Sequence, residues 1–353
     1  MWRSFSRGLT AALLLAAVSG DALAQDPASF YKGKTVTLVV GYGPGGGYDI
    51  YARVLARVLG KHIPGNPTVI IQNMPGAGSL RAANYLYNVA PKDGSVFGTF
   101  ARNIPLLGLI KSKQNVQFDP RKFTWLGSSS SFANDAYLLI ARRGSTAKSI
   151  EDLRRPGGPP LIIGSTADSA SSDSNTMAVV LRDILGFNLK LITGYIDSGQ
   201  LFMAMERGEI EGRTVSLSAV QSNKAEWIRP GGPVQVLLVF GRQSRHPNFP
   251  DAPLAAEVAK SAADKRLIEI LEAPYMLSRP YAAPPDMPVD RAKALQAAFV
   301  SAHKDPEYLA DAEKLQIDVS PIGGDQALSL INRIAATPSD QLQWLAQVMR
   351  GGG

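Results

Sequence analysis

Two glycine-rich turns, each set between a β-branched run and a helical pattern, constrain this chain more than any other feature. In the first, Thr35 to Val40 leads through GYGPGGG (41–47) into an apolar helical repeat over 50–60. In the second, Thr68 to Ile71 leads through NMPGAGS (73–79) into a repeat over 79–89. Consecutive strand–turn–helix units of this kind belong to a largely parallel sheet, with both turns at the carboxyl edge of the strands.

The first turn also satisfies G-x-G-x-x-G, the dinucleotide pattern. Its context argues otherwise. The second strand ends in Gln72-Asn73, where a dinucleotide fold offers an acid to the ribose. Asp49 is expected at the N-cap of the first helix, where its carboxylate takes the free amides and repels a pyrophosphate. What remains is a pair of turns presenting backbone amides at helix N-termini, a setting for a small anion.

Strand and helix patterns alternate onward through strands near 96–100, 123–126, 136–141, 161–163, 189–193 and 234–240, with helices near 104–110, 173–185 and 198–207. From 253 helices dominate, at 254–260, 263–272, 289–303, 306–315, 324–335 and 338–349, with one strand expected at Pro274 to Leu277. This predicts an α/β chain with two lobes, each a mostly parallel sheet flanked by helices. Polar loops after apolar strands, at Gly127 to Ser131 and Gly241 to His246, are the expected crossings. Lobe 1 then takes 25–128 plus 246–353 and lobe 2 takes 129–245, with the ligand in the cleft between them.

Residues 1–24 read as a secretory signal: Arg3 and Arg7, an apolar Leu9 to Val18, then Ala22-Leu-Ala24 as the cleavage site before Gln25. The chain has no cysteine, so it has neither a lipid-attachment site nor a disulfide. A periplasmic location is the simplest expectation. Hydrophobic residues at 45% against 19% charged mark a globular chain rather than a disordered one. The formal charge of +7 falls to about +6 without Arg3, Arg7 and Asp21, and it is spread along the chain. A spread of this kind gives a mild field for anions and no stripe for nucleic acid.

Catalytic constellations are weak. His62, His246 and His303 lack a partner at metal-ligand spacing, and neither a metal nor a cofactor is expected. Ser145-Thr-Ala-Lys148 matches S-x-x-K, but K-T-G is missing and 172–175 reads Ser-Asp-Ser-Asn. The plainer reading makes Ser149 to Asp152 a capping box, with 145–148 its approach. Glu209 and Glu211 are read as turn residues. Trp125, Trp227 and Trp344 are expected in packing roles; Tyr42 and Tyr48 either stack on a ligand or cover the cleft mouth.

The stretch TVTLVVGYGPGGGYDIYARVLARVL, followed by VIIQNMPGAGSLRAANYLYNVAPKDG, resembles the opening of the Bug receptors, extracytoplasmic solute-binding proteins of tripartite tricarboxylate transporters. LIIGSTADSASSDSNTMAVVLRDILG and LITGYIDSGQLFMAMERGEIEGR continue the likeness. Departures are Met74 for the usual Arg, Ser79 for the usual final Gly, and Asp197-Ser198 for the common Lys-Gly.

The resemblance implies a flytrap that closes on a small carboxylate, held largely by backbone amides of the first two turns. It implies contacts from Gly45, Gly46, Gly47, Tyr48 and Asp49, and from Pro75, Gly76, Ala77, Gly78 and Ser79. Ser128 and its neighbours to Ser131, with Asn134, stand at the crossing. Ser165, Thr166, Ser169, Ser171, Ser172, Tyr195 and Asp197 would meet the ligand's far end. The implied partners are the carboxylate and the permease subunits of a membrane transporter, met as a monomer without chemistry of its own. The alternatives are a sensor feeding a membrane kinase and, from another class, a hydrolase using Ser145 and Lys148.

Overall fold

The computed structural model describes residues 26–110, 115–166, 173–195 and 198–351. The chain begins with α1 (Pro27–Tyr31), β1 (Thr35–Val40), α2 (Gly47–His62), β2 (Thr68–Asn73), α3 (Leu80–Asn88), β3 (Val96–Thr99), α4 (Ile104–Ile110) and β4 (Thr124–Ser128). It continues with β5 (Tyr137–Arg142), α5 (Ile150–Leu153), β6 (Leu161–Thr166), α6 (Asp173–Val179), β7 (Leu189–Tyr195), α7 (Ser198–Arg207), β8 (Gly212–Ser216), α8 (Leu217–Lys224) and β9 (Val234–Phe240). The last part holds α9 (Ala262–Met276), β10 (Pro280–Ala283), α10 (Val289–Ala302), α11 (Pro306–Lys314), β11 (Ile322–Gly323), α12 (Gly324–Ala335) and α13 (Ser339–Gly351).

Two sheets result, in the orders β11-β4-β10-β3-β1-β2 and β7-β6-β8-β5-β9. In the first, β1 pairs in parallel with β2 and β3, while β10 runs antiparallel between β3 and β4. In the second, β6 is parallel to β7 and β8, and β5 is antiparallel to β8 and β9. Both sheets are therefore mixed, with the majority of strands in each pointing one way.

Each sheet buries apolar side chains on both faces, which explains the near-continuous hydrophobic runs in β1 and β5. One cluster packs α2 and α10 on the first sheet through Val54, Leu55, Val58, Leu295 and Phe299. Another packs α7 on the second through Leu201, Phe202 and Met205. A third runs without a break from Phe100 and Trp125 beside the first sheet to Leu139 and Ile163 in the second.

The structure corrects several expected boundaries. Pro274 to Leu277 is not a strand: Pro274 lies inside α9, and the strand follows at Pro280–Ala283. That strand tolerates Pro280 at its first position, where a missing N–H costs no ladder bond. The helix expected at 254–260 shrinks to a single tight turn, Ala255–Glu257. The helix expected over 173–185 changes at Val180–Ile184 to a wider turn of π type. The polar strand β8 and helix α8 carried no periodic apolar signal.

Candidate functional site

The pairing of β1 brings Val40 level with Asn73 and Thr99, so the turns after β1, β2 and β3 open at one edge. Antiparallel β10 places Pro280 beside Ser128 and Tyr281 beside Thr99. The segment 278–279, remote in sequence, thereby reaches the same edge.

In the first turn, Gly45 adopts φ +84°, open to glycine at little cost. The N-cap of α2 is Gly46, not Asp49, and no side chain caps that end. Asp49 stands three residues into the helix, 1% exposed, with its carboxylate turned back. It accepts from the Gly45 amide at 2.8 Å, Asn73 Nδ2 at 2.8 Å and Arg53 Nε at 2.7 Å. Burial pushes the Asp49 pKa up, but these bonds and the Arg53 charge outweigh it and leave the group below its ordinary value. The carboxylate is thus a brace for the turn, its oxygens occupied by protein donors. Asn73 completes the brace by donating to Tyr42 O at 2.9 Å. Tyr42 and Tyr48 stack on each other, with ring centroids 4.7 Å apart at 15°.

The second turn holds positive φ at Gly76, Ala77, Gly78 and Ser79 in succession. Two of these are not glycine, and each costs on the order of 1 kcal/mol of strain, which surrounding contacts must offset. Ser79 is fully buried and donates from Oγ to Gly41 O at 3.1 Å. A Cβ on Gly41 would lie 2.6 Å from that Oγ, so the two turns interlock where Gly41 has no side chain. Gly45, Gly46, Gly47, Pro75, Gly76 and Ala77 are exposed, Tyr48 and Gly78 partly so.

The serines at the crossing are committed to the scaffold. Ser128 Oγ donates to Ser130 O at 2.7 Å and accepts from the Arg279 amide at 3.0 Å. Ser129 Oγ lies 2.8 Å from His303 Nε2, and His303 Nδ1 lies 2.7 Å from Phe299 O. An acceptor carbonyl at Nδ1 fixes that nitrogen as donor, so Nε2 accepts from Ser129. Burial pushes the His303 pKa down to about 4, keeping it neutral. Ser130 Oγ and Asn134 Nδ2 donate to Asp318 at 2.6 and 3.1 Å. Arg242, on the return crossing, donates to the carbonyls of Phe132, Ala133 and Asp135, tying the two crossings together.

On the second sheet, Ser165 is fully buried in β6, Thr166 ends that strand and Tyr195 ends β7 alongside it. Ser169, Ser171, Ser172 and Asp197 lie outside the described residues. Two arginines escaped sequence reasoning. Arg213, 3% exposed, donates to Ser198 O and Oγ at 3.0 and 2.9 Å, and burial lowers its pKa to about 10. Arg279 stands at the shared edge, its guanidinium 4.7 and 4.8 Å from the Tyr48 and Tyr51 ring centroids. Neither occupies a motif; only the sheet order brings them into place.

Groups that invite a catalytic reading have other occupations. Ser145 Oγ donates to Ala147 O at 2.7 Å, and Ser149 caps α5 by accepting from the Asp152 amide at 3.3 Å. Asp152 reaches back to the Lys148 amide at 2.9 Å. Glu211 accepts from Thr146 and from the Ile162 amide. Among the described residues no group of three His, Asp or Glu could hold a metal. A cavity of about 690 Å³ lies elsewhere, between α9, α12 and the 241–243 segment, and none of the expected ligand-contact residues lines it. No helix among the described residues is long and apolar enough to cross a membrane.

No protein-family model matches the chain. A curated relative, the UPF0065 protein in the gbd 5' region of Cupriavidus necator, is 44% identical over 82 residues, which is 23% of each chain. The chain thus matches less than a quarter of that relative's length. Among solved structures, a TctC solute binding protein from Polaromonas aligns with TM-score 0.66 at 18% identity, over 89% of this chain and 99% of that one. The periplasmic binding protein BugD aligns at 0.60 and 17%, over 90% and 98%. MatC from Rhodopseudomonas palustris, solved with bound malate, aligns at 0.59 and 18%, over 88% and 99%. The chain has the two-lobed fold of the TctC and Bug periplasmic binding proteins.

Proposed function

We propose that the protein is a Bug-type periplasmic solute-binding protein that captures a small carboxylate between its lobes and delivers it to a tripartite tricarboxylate-type transporter. The observation that carries this is the pair of exposed glycine turns locked side by side at the carboxyl edge of β1 and β2, with the start of α2 uncapped by any side chain. Helix N-termini with free amides favour a carboxylate, whose desolvation several charge-assisted bonds must offset. The malate found in MatC, a protein of the same fold, supports the ligand class.

Residues 25–128 and 246–353 form one lobe, 129–245 the other, and the crossings tied by Arg242 act as the hinge. Ligand contacts available only when the lobes meet shift the population toward closure. Residues 1–24 direct export and are removed after Ala24. The protein has no reaction of its own and needs no cofactor. A thermal-shift screen of the mature chain against malate, adipate, citrate, glutamate, benzoate, NAD and ATP tests the reading. A carboxylate at about 100 times its Kd adds roughly 2.7 kcal/mol, a shift of several degrees. Stabilisation by NAD or ATP with no carboxylate response would refute it.

A further inference from the structure

We propose that Arg279 is the specificity-determining side chain of this site, receiving one ligand carboxylate on the Nε–Nη2 edge of its guanidinium. The inference rests on the carboxylate-receptor reading and adds to it a side-chain cation, where the resemblance implies backbone amides.

The residue is fixed before any ligand arrives. Its amide donates to Ser128 Oγ at 3.0 Å and its carbonyl accepts from the Ser129 amide at 3.0 Å. The guanidinium lies over both the Tyr48 and the Tyr51 ring. Nη1 is spent, donating to Ser278 O at 2.8 Å and Ser278 Oγ at 3.1 Å. The opposite edge is not. Nε is buried without a hydrogen-bond partner, and among the described residues Arg279 makes no ion pair. Nη2 lies 3.4 Å from the point a Cβ on Gly47 would occupy, beside the first residue of α2.

A guanidinium side edge offers two near-parallel donors matched to the two oxygens of a carboxylate. A buried N–H left unpaired is costly, and a ligand that pairs it removes that cost on binding. The nearest acid on α2 does not compete, because Asp49 is engaged by Gly45, Arg53 and Asn73. The ligand carboxylate therefore meets the Nε–Nη2 edge beside the uncapped start of α2. A side chain at Gly47 would crowd that edge, its Cβ only 3.4 Å from Nη2.

The test measures, by calorimetry, the affinity of wild type, Arg279→Gln and Arg279→Lys for the panel carboxylate that binds wild type most tightly. Arg279→Gln should lose roughly 30-fold or more, the effect of removing one partner of a buried charge pair. Arg279→Lys, which keeps charge without the fork, should fall between the two. A parallel ¹⁵N spectrum of wild type, with Arg279 assigned by its loss in the Lys variant, should show the Nε–H resonance moving on ligand addition. That measurement holds even if a variant folds poorly. Both variants within threefold of wild type, or an unmoved Nε–H resonance at saturation, would overturn the role of Arg279 and leave the receptor reading standing. No binding of any carboxylate by wild type would overturn both.

Discussion

Replacing Asp49 by Asn tests whether that carboxylate braces the first turn or meets the ligand. The carboxylate is 1% exposed and accepts three bonds, from Gly45, Asn73 and Arg53. An Asn at this position keeps the volume but has one accepting oxygen, and its amide hydrogens then face donors. Bonds to a charged acceptor contribute about 1.5–3 kcal/mol each. Arg53 is 47% exposed, so water replaces its bond at little cost and that share is discounted. The remaining loss, from one donor left short of a partner and one bond reduced from a charged to a neutral acceptor, is about 3 kcal/mol. At ~2–4 °C per kcal/mol the unliganded protein should melt about 6–12 °C lower.

The sign with pH follows from the lowered pKa. The contribution is fully present above the unfolded carboxyl value and is lost as pH falls through the still lower folded one. Melting curves of wild type and Asp49→Asn should therefore converge in strong acid. Scanning calorimetry of both proteins without ligand decides the matter. An apo melting point within 2 °C of wild type, with weakened carboxylate binding, would show that Asp49 meets the ligand and that the brace is a misreading.

Other consequences are as direct. Gly41→Ala places a Cβ 2.6 Å from Ser79 Oγ and should destabilise by about 1–3 kcal/mol; Ser79→Gly in the same chain should restore part of it, as a double-mutant cycle in urea would show. His303, neutral with its pKa moved from 6.5 to about 4, should make stability fall by about 3 kcal/mol as pH drops across that interval, because the unfolded chain takes the proton first. His303→Gln should lose this dependence, whatever its own stability. Burial raises the Glu272 pKa to about 8, against a smaller opposing pull from the Gly241 amide. Glu272→Gln should then be the more stable protein at pH 7 by on the order of 2–3 kcal/mol, and the gain should vanish by pH 4, where the unfolded carboxyl is also protonated.

The first half of the site was legible in the sequence because its signals are local. A β-branched run, glycines and an apolar helical repeat locate both turns, and pairing of β1 with β2 puts them side by side. Asp49 was misplaced by three residues because exposed Gly46 and Gly47 extend the helix beyond its apolar repeat. The serines of 128–131 look like ligand donors in sequence, yet Ser128, Ser129 and Ser130 are turned inward by His303, Asp318 and the Arg279 amide. Their partners come from 150 to 190 positions away, beyond any local pattern. Arg279 was illegible for the same reason: it matters only because β10 inserts antiparallel between β3 and β4. Pro274 to Leu277 was misread because an apolar run containing Pro resembles a strand, although a Pro near the end of a helix breaks few bonds.

On the proposed receptor reading, the brace between the turns also bears on how the protein can change its diet. Because Asp49, Asn73 and the Ser79–Gly41 contact fasten both turns to one sheet, the anion-facing backbone is shaped during folding and offered ready-made to whatever diffuses in. Main-chain donors have no side chain to mutate, so apart from the brace and Arg279 this half of the grip is nearly silent to single substitutions. Descendants that acquire a new substrate would then do so by altering Arg279 or the opposing lobe, one residue at a time, while retaining the inherited main-chain handle for the acid group.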